Sequence, residues 1–111
     1  MPRYKLVALT TPLPGREGDY HEWYNTTHLP ELVNKFGMHG AQRYELVAKL
    51  TGNDTNPYLA IYDIVCDDPM ELLGAIGKAM ATGELTQRDA SDMATCYTAL
   101  FSELGERVVP A

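Results

Sequence analysis

The order of the periodic segments constrains the fold of this chain more than any other feature of its sequence. Arg3 to Thr11 is rich in β-branched and apolar residues, which predicts a first strand. That strand must stop at Pro12-Leu13-Pro14-Gly15, because this stretch can continue neither a strand nor a helix. Proline, glycine or a capping residue also marks boundaries of the two helices and of the hairpin.

A first helix follows. Asp19 and Glu22 have the spacing of a capping box, which predicts that the helix starts at Asp19. Pro30 lacks an N–H group, so the helix should end or kink near His28 and restart at Pro30 before Gly37 closes it. Helical spacing places four residues on one face, with His21 and His28 on its flank: Tyr20, Trp23, Tyr24 and Thr27.

The rest of the chain predicts three strands and a second helix. Met38 to Leu50 and Tyr58 to Cys66 read as two strands of a hairpin joined by a turn-rich connection. Asp68-Pro69 with Glu71 repeats the capping pattern and starts a helix that ends before Gly83. Residues 84–93 should form a loop or a short helical turn, and Ala94 to about Glu103 should form the last strand.

The resulting order, β-α-β-β-α-β, predicts a single α+β domain over residues 1–111 with a four-stranded antiparallel sheet and both helices on one face. A chain of 111 residues buries only about two thirds of its unfolded surface. The second face of the sheet therefore needs a cover, and a second copy across a two-fold axis would supply it. We expect a homodimer.

Composition excludes several classes of function. The chain has 15 acidic and 9 basic residues, a formal net charge of −6, which disfavours nucleic acids and anionic membranes as partners. No signal peptide or membrane span is recognisable, so we expect a soluble cytoplasmic protein. Cys66 and Cys96 have no metal or redox spacing and read as small, partly buried thiols. The motifs of serine hydrolases, nucleotide-binding loops and zincins are absent from the sequence.

His28 is the strongest candidate for chemistry, because imidazole titrates near neutral pH and this residue lies where proline breaks the helix. The alternative is a partly buried histidine that bonds a carbonyl and pins the kink. Tyr24, about one turn away, could orient a substrate oxygen or hydrogen-bond the imidazole, and Trp23 could form an apolar wall. Both aromatic residues could equally be simple core residues.

His21 and Glu31 raise the possibility of a metal site with His28, but seven helical positions separate the two imidazoles by roughly 10 Å. We therefore expect no metal and place His21 at the surface or at a ligand rim.

Arg43 could bind a carboxylate or phenolate, or could pair with Asp63 or Glu45. Strand alternation places Arg43 and Tyr44 on opposite faces of the sheet, and it does the same for Tyr62 and Asp63. It leaves open which of these faces is directed to the interior. The face of the sheet on which Tyr97 of the last strand lies is undecided in the same way.

The stretch Tyr20-His21-Glu22-Trp23-Tyr24-Asn25-Thr26-Thr27-His28-Leu29-Pro30-Glu31-Leu32 resembles the EthD-like family, whose first helix carries an aromatic W-Y pair followed by H-x-P. The spacing to Phe36-Gly37-Met38-His39-Gly40, to Arg43-Tyr44 and to Asp92 is also similar to that family. This resemblance implies a dimeric α+β barrel with ferredoxin-like subunits. It implies little biochemistry, since similar barrels include cofactor-independent monooxygenases, isomerases, cyclases and haem-degrading enzymes.

The leading functional hypothesis is a small homodimeric enzyme of catabolism that uses no tightly bound cofactor and acts on a hydrophobic or aromatic carbonyl compound. His28 and Tyr24 are the catalytic candidates, and the substrate-binding candidates are Trp23, Tyr20, Arg43 and Tyr62. Isomerase, cyclase or lyase chemistry is expected, with oxygen insertion as a variant. The alternatives are a non-catalytic binding protein for a partner oxidase, a purely structural dimer, and a haem protein with His28 as axial ligand.

Overall fold

The structure, a computed structural model, describes residues 1–86 and 90–111. Its elements are β1 (Arg3–Thr10), α1 (Glu17–Trp23), a π-helical turn (Tyr24–His28), α2 (Leu29–Phe36), β2 (Gly40–Glu45), β3 (Tyr58–Val65), α3 (Pro69–Thr82) and β4 (Tyr97–Ser102). The four strands form one sheet in the order β2-β3-β1-β4, and every neighbouring pair is antiparallel. The predicted α+β architecture with a four-stranded antiparallel sheet is therefore confirmed, and it is compatible with a ferredoxin-like fold.

The second predicted helix forms as its sequence dictates. The Asp68 carboxylate accepts hydrogen bonds from the backbone N–H groups of Met70 and Glu71, each at 3.1 Å, and Pro69 occupies the first turn. Gly83 ends α3 in the left-handed conformation, with φ of 81°. The hairpin of β2 and β3 also forms, with Arg43 opposite Ala60.

Several predicted boundaries are wrong. The first helix begins at Glu17 rather than Asp19, and its capping position is Arg16, which makes no side-chain capping bond. Asp19 lies inside the helix, where its carboxylate accepts a hydrogen bond from Arg16 Nε at 2.8 Å. The second strand covers only Gly40–Glu45, so the connection to β3 is longer than predicted. The last strand begins at Tyr97, because the residues before it form a turn after Asp92.

Near His28, where the sequence predicts an end or a kink, the helix changes its winding and does not end. Helical geometry continues from Glu17 to Phe36, and the predicted break takes the form of a π-helical turn directly before Leu29-Pro30. The N–H of Leu29 donates to the carbonyl of Tyr24, five residues earlier. Pro30 has no N–H group to donate to the carbonyl four residues earlier. The helix can therefore widen here without the loss of a hydrogen bond from that residue. Gly37 ends α2 with φ of 63°, as predicted.

The core lies between the helices and one face of the sheet. Alternate residues of β1 and β3 are buried there, and the cluster includes Leu6, Ala8, Ala60, Tyr62, Ile64, Leu32, Ile76 and Ala79.

Cys66 and Cys96 are free thiols of intermediate exposure, in agreement with their interpretation from the sequence. Among the described residues, no helix has the length and apolar character needed to cross a membrane.

Candidate functional site

The register of the sheet decides which strand residues can reach the first helix. Arg43 pairs with Ala60, and Ala41 pairs with the fully buried Tyr62, so these residues share the face that the helices cover. Tyr44 and Asp63 belong to the opposite face, as strand alternation predicted. Tyr97, paired with Leu9, also lies on that opposite face. The structure thus brings Arg43 and Tyr62 to the helix side and leaves Tyr44 and Tyr97 on the open side.

The first helical segment buries one residue in every four: Tyr20, Tyr24, His28 and Leu32. A regular α-helix turns 100° per residue, so a spacing of four drifts by about 40° at each step. Over three steps this stripe would wander by about 120°, which exceeds a typical apolar face. The π-helical turn from Tyr24 to His28 turns less per residue and keeps the stripe facing the sheet. All four side chains therefore stay on the buried side of the helix.

His28 is surrounded by aromatic rings. Its imidazole stacks on the Trp23 indole, with 4.2 Å between ring centroids and 18° between planes. The Tyr24 ring meets it edge-on at 5.4 Å, and the Tyr62 ring lies 6.3 Å away in a perpendicular orientation. His28 is 8% exposed, so this histidine belongs to the interior rather than to the surface. We call Trp23, Tyr24, His28 and Tyr62 the His28 cluster.

Two hydrogen-bond donors in the His28 cluster have no partner among the residues that the structure describes. Within the part of the chain that the structure describes, the Trp23 indole N–H and the Tyr24 hydroxyl are buried and make no hydrogen bond. One sequence-based alternative, a hydrogen bond from Tyr24 to the His28 imidazole, is therefore wrong, since the two rings meet edge-on instead. A buried polar group without a partner costs about 1–3 kcal/mol, so such groups commonly serve a ligand or a water molecule.

Tyr20 is fully buried beside this cluster. Its hydroxyl shares a hydrogen bond with the Thr10 hydroxyl at the end of β1, and its ring lies 5.0 Å from the Tyr24 ring. Burial raises the pKa of the Tyr20 phenol above its usual value of 10.0, while the Thr10 hydrogen bond and the Arg43 charge oppose that shift. Tyr20 therefore remains a neutral phenol whose hydroxyl is already engaged, which favours a packing role over direct contact with a substrate.

Arg43 makes different contacts from those of the predicted ion pair. Its guanidinium donates from Nη1 to the Asn25 amide oxygen at 2.9 Å, and its Nη2 lies 3.0 Å from His21 Nδ1. Asp63 instead forms a salt bridge with Lys5 on the opposite face of the sheet. Pairing with Asp63 is therefore wrong because the pleat separates the two residues, and no salt bridge joins Arg43 to Glu45.

His21 is partly exposed, on the first helix beside Tyr20. Its ring packs against the Tyr58 ring at 4.7 Å and against the Tyr20 ring at 5.1 Å. Burial and the adjacent Arg43 charge lower the pKa of His21 below its usual 6.5, although Glu45 and Glu17 act in the opposite direction. A neutral imidazole can accept a hydrogen bond at Nδ1, so it is the matching partner for the Arg43 guanidinium.

Glu31 does not join the histidines. Its carboxylate accepts hydrogen bonds from the backbone N–H and the hydroxyl of Thr86, both at 2.9 Å, and so ties α2 to the segment after α3. Across residues 1–86 and 90–111, no group of three or more metal-ligating side chains is placed to hold an ion.

Sequence reasoning missed Asn56 as a structural residue. It is 6% exposed, accepts a hydrogen bond from the Thr11 hydroxyl at 2.7 Å and donates to the Thr95 carbonyl at 2.8 Å. Asn25 was also missed as a partner of Arg43. In the sequence Asn56 is one of several turn residues before Pro57, and nothing local distinguishes it from Asn53.

The chain has no significant match among protein-family models, curated proteins or solved structures. The geometry of the His28 cluster and of the sheet therefore carries the functional argument.

Proposed function

We propose that this chain is an EthD-like homodimeric enzyme that moves a proton next to the carbonyl group of a hydrophobic or aromatic metabolite. The observation that carries the proposal is the buried His28, packed between rings whose two hydrogen-bond donors have no partner among the described residues. An acid/base group beside unoccupied donors, in a water-poor environment, is what enolate chemistry requires.

The reaction divides between these groups. The His28 imidazole takes a proton from the carbon next to the carbonyl, and the C–H electron pair moves to form an enolate. The negative charge develops on the carbonyl oxygen, which accepts hydrogen bonds from the Tyr24 hydroxyl and the Trp23 indole N–H. The imidazolium then returns the proton to the same carbon or to a conjugated one, so the net result is exchange or isomerisation. Tyr62 and Tyr20 line the apolar surroundings.

Deuterium exchange tests this proposal without knowledge of the natural substrate. A panel of aromatic ketones and unsaturated lactones is incubated with the protein in D2O, and exchange at the carbon next to the carbonyl is followed by NMR. We expect exchange with the wild-type chain and a loss of about 10²- to 10⁴-fold in His28→Gln, the usual contribution of a positioned acid/base group. His39→Gln is the matched control, because His39 is exposed and lies outside the cluster.

The outcomes separate the hypotheses. Exchange that persists in a folded His28→Gln protein would refute the acid/base role. Native mass spectrometry of the protein purified without added ligand adds an independent readout. A retained aromatic metabolite together with no exchange by any compound of the panel would replace the enzyme with a non-catalytic binding protein.

The dimer belongs to this proposal because the residues that the structure describes leave one face of the sheet without a cover. The helices lie on the other face, and the open face carries a continuous set of apolar and aromatic side chains: Val7, Leu9, Tyr44, Leu59, Ile61, Tyr97, Ala99 and Phe101. Tyr44, Tyr97 and Phe101 are about half exposed, at 50%, 48% and 49%. Apolar patches of this kind commonly mark protein interfaces, and a second copy offers a self-complementary surface.

A further inference from the structure

Arg43 projects from the edge strand β2 into a cage of tyrosine rings. Its guanidinium carbon lies 4.8 Å from the centroid of the Tyr24 ring, 5.5 Å from that of Tyr20 and 5.7 Å from that of Tyr58. Cation–π contacts at these distances hold the planar guanidinium in place, but they do not neutralise its charge. The cage therefore positions the Arg43 guanidinium and leaves its positive charge available to bind an anion.

The hydrogen-bond partners of Arg43 are uncharged. They are the Asn25 amide and the imidazole of His21, whose lowered pKa favours the neutral ring. Neither of the salt bridges formed within residues 1–86 and 90–111 involves Arg43. Arginine stays protonated at all relevant pH values and offers five N–H donors, of which these two contacts use only a part. An anion would balance the charge of the guanidinium and accept hydrogen bonds from its remaining N–H groups.

A cavity of about 220 Å³ opens beside the guanidinium, lined by His21, Arg43, Tyr44, Glu45 and Tyr58. This volume is below the range of roughly 300–1,000 Å³ that is typical of pockets for drug-sized ligands, so it suits a small molecule. The tyrosine rings favour an aromatic ligand. A single arginine with Glu45 nearby favours a planar monoanion over a doubly charged phosphate, because each additional negative charge would be repelled by the Glu45 carboxylate.

We propose that this cavity binds the carboxylate of a small aromatic acid, with the Arg43 guanidinium as its anchor and the Tyr58 ring as its apolar wall. The proposal rests on the proposed function in one respect, namely that the bound acid is the substrate or product of the His28 cluster. It adds the charge class of that metabolite. Tyr24 connects the two places, because its ring lies under Arg43 and against His28.

Benzoate and benzamide form the test pair, since they differ mainly in charge. Each is titrated into ¹⁵N-labelled protein, and NMR shifts of residues around the cavity give the Kd. We expect saturable benzoate binding with shifts at His21, Arg43 and Tyr58, and much weaker effects of benzamide. Loss of charge-assisted hydrogen bonds should weaken benzoate binding about 10- to 100-fold in Arg43→Gln.

Two further variants sharpen the test. Glu45→Gln removes the opposing carboxylate and should tighten benzoate binding several-fold. Lys78→Gln is the matched control: it makes the same charge change as Arg43→Gln on the exposed side of α3 and should leave the Kd unchanged. Preserved spectra of the unliganded variants establish that each one folds.

Three results would overturn the proposal: equal shifts by benzoate and benzamide, unchanged benzoate affinity in Arg43→Gln, or the same loss in Lys78→Gln. Failure of benzoate binding together with His28-dependent deuterium exchange would remove the carboxylate site alone. Benzoate binding without that exchange would instead remove the enolate chemistry and keep the site.

Discussion

Removal of the Phe101 ring is the most direct perturbation of the proposed dimer. Phe101 lies on β4 with 49% of its surface exposed, on the face of the sheet that the helices leave open. An aromatic side chain buries about 200 Å², so the exposed half amounts to about 100 Å² and about 2.5 kcal/mol when a partner covers it. A two-fold interface contains this residue twice, which gives about 5 kcal/mol per dimer. Phe101→Ala keeps a methyl group, and we expect a dimer Kd at least about 100-fold higher.

Sedimentation equilibrium over a dilution series measures that Kd directly, since one copy has a mass of 12.3 kDa. Met70→Ala is the matched control: Met70 is apolar and 70% exposed, but it lies on α3, away from the open face. A wild-type chain that stays monomeric at high concentration would refute the dimer. A Kd that changes less than tenfold in Phe101→Ala, or equally in Met70→Ala, would refute the open face as its interface.

Two further predictions concern stability and protonation. Asn56→Ala should lower the free energy of unfolding by about 1–3 kcal/mol in urea titrations, because it leaves buried polar groups unpaired, whereas the exposed Asn53→Ala should change it little. An equal effect of both variants would contradict this reasoning. The pKa of His21, followed by NMR, should lie below 6.5 and rise in Arg43→Gln, since burial and the guanidinium lower it against Glu17 and Glu45. Its contribution to stability is present above pH 6.5 and is lost as pH falls through the lowered pKa. A midpoint at or above 6.5 would contradict that environment.

The parts of the fold that follow from local chemistry could be predicted from the sequence. Asp68, Pro69 and Gly83 define α3 because their capping bonds and backbone angles depend only on near neighbours. Asp19 shows the limit of the same reasoning. Its spacing to Glu22 satisfies the capping pattern, but the turn after Pro14 already starts the helix at Glu17, so the carboxylate binds Arg16 instead.

The site could be predicted only in part, because its geometry depends on long-range pairing. The place of the helical irregularity follows from Pro30, but its π-helical form depends on packing against the sheet. The face that carries Arg43 depends on the register of β2 against β3, and a shift of one residue would reverse it. Asn56 forms hydrogen bonds with Thr11 and Thr95, which are distant in the sequence. No local sequence pattern predicts these contacts.

The π-helical turn also has a consequence for changes in chain length. A π-helical turn holds one residue more than a regular helical turn, so the segment from the buried Tyr20 to the buried Leu32 is one residue longer than a regular helix would need. Deletion of one residue at Asn25 or Thr26 would restore regular winding and reduce the spacing from Tyr24 to His28 to three positions. With spacings of four, three and four, the four buried side chains would lie within about 60° of one another on a regular helix. The thirteen residues from Tyr20 to Leu32 therefore form a segment that can lose one residue at the π-helical turn and keep its buried face.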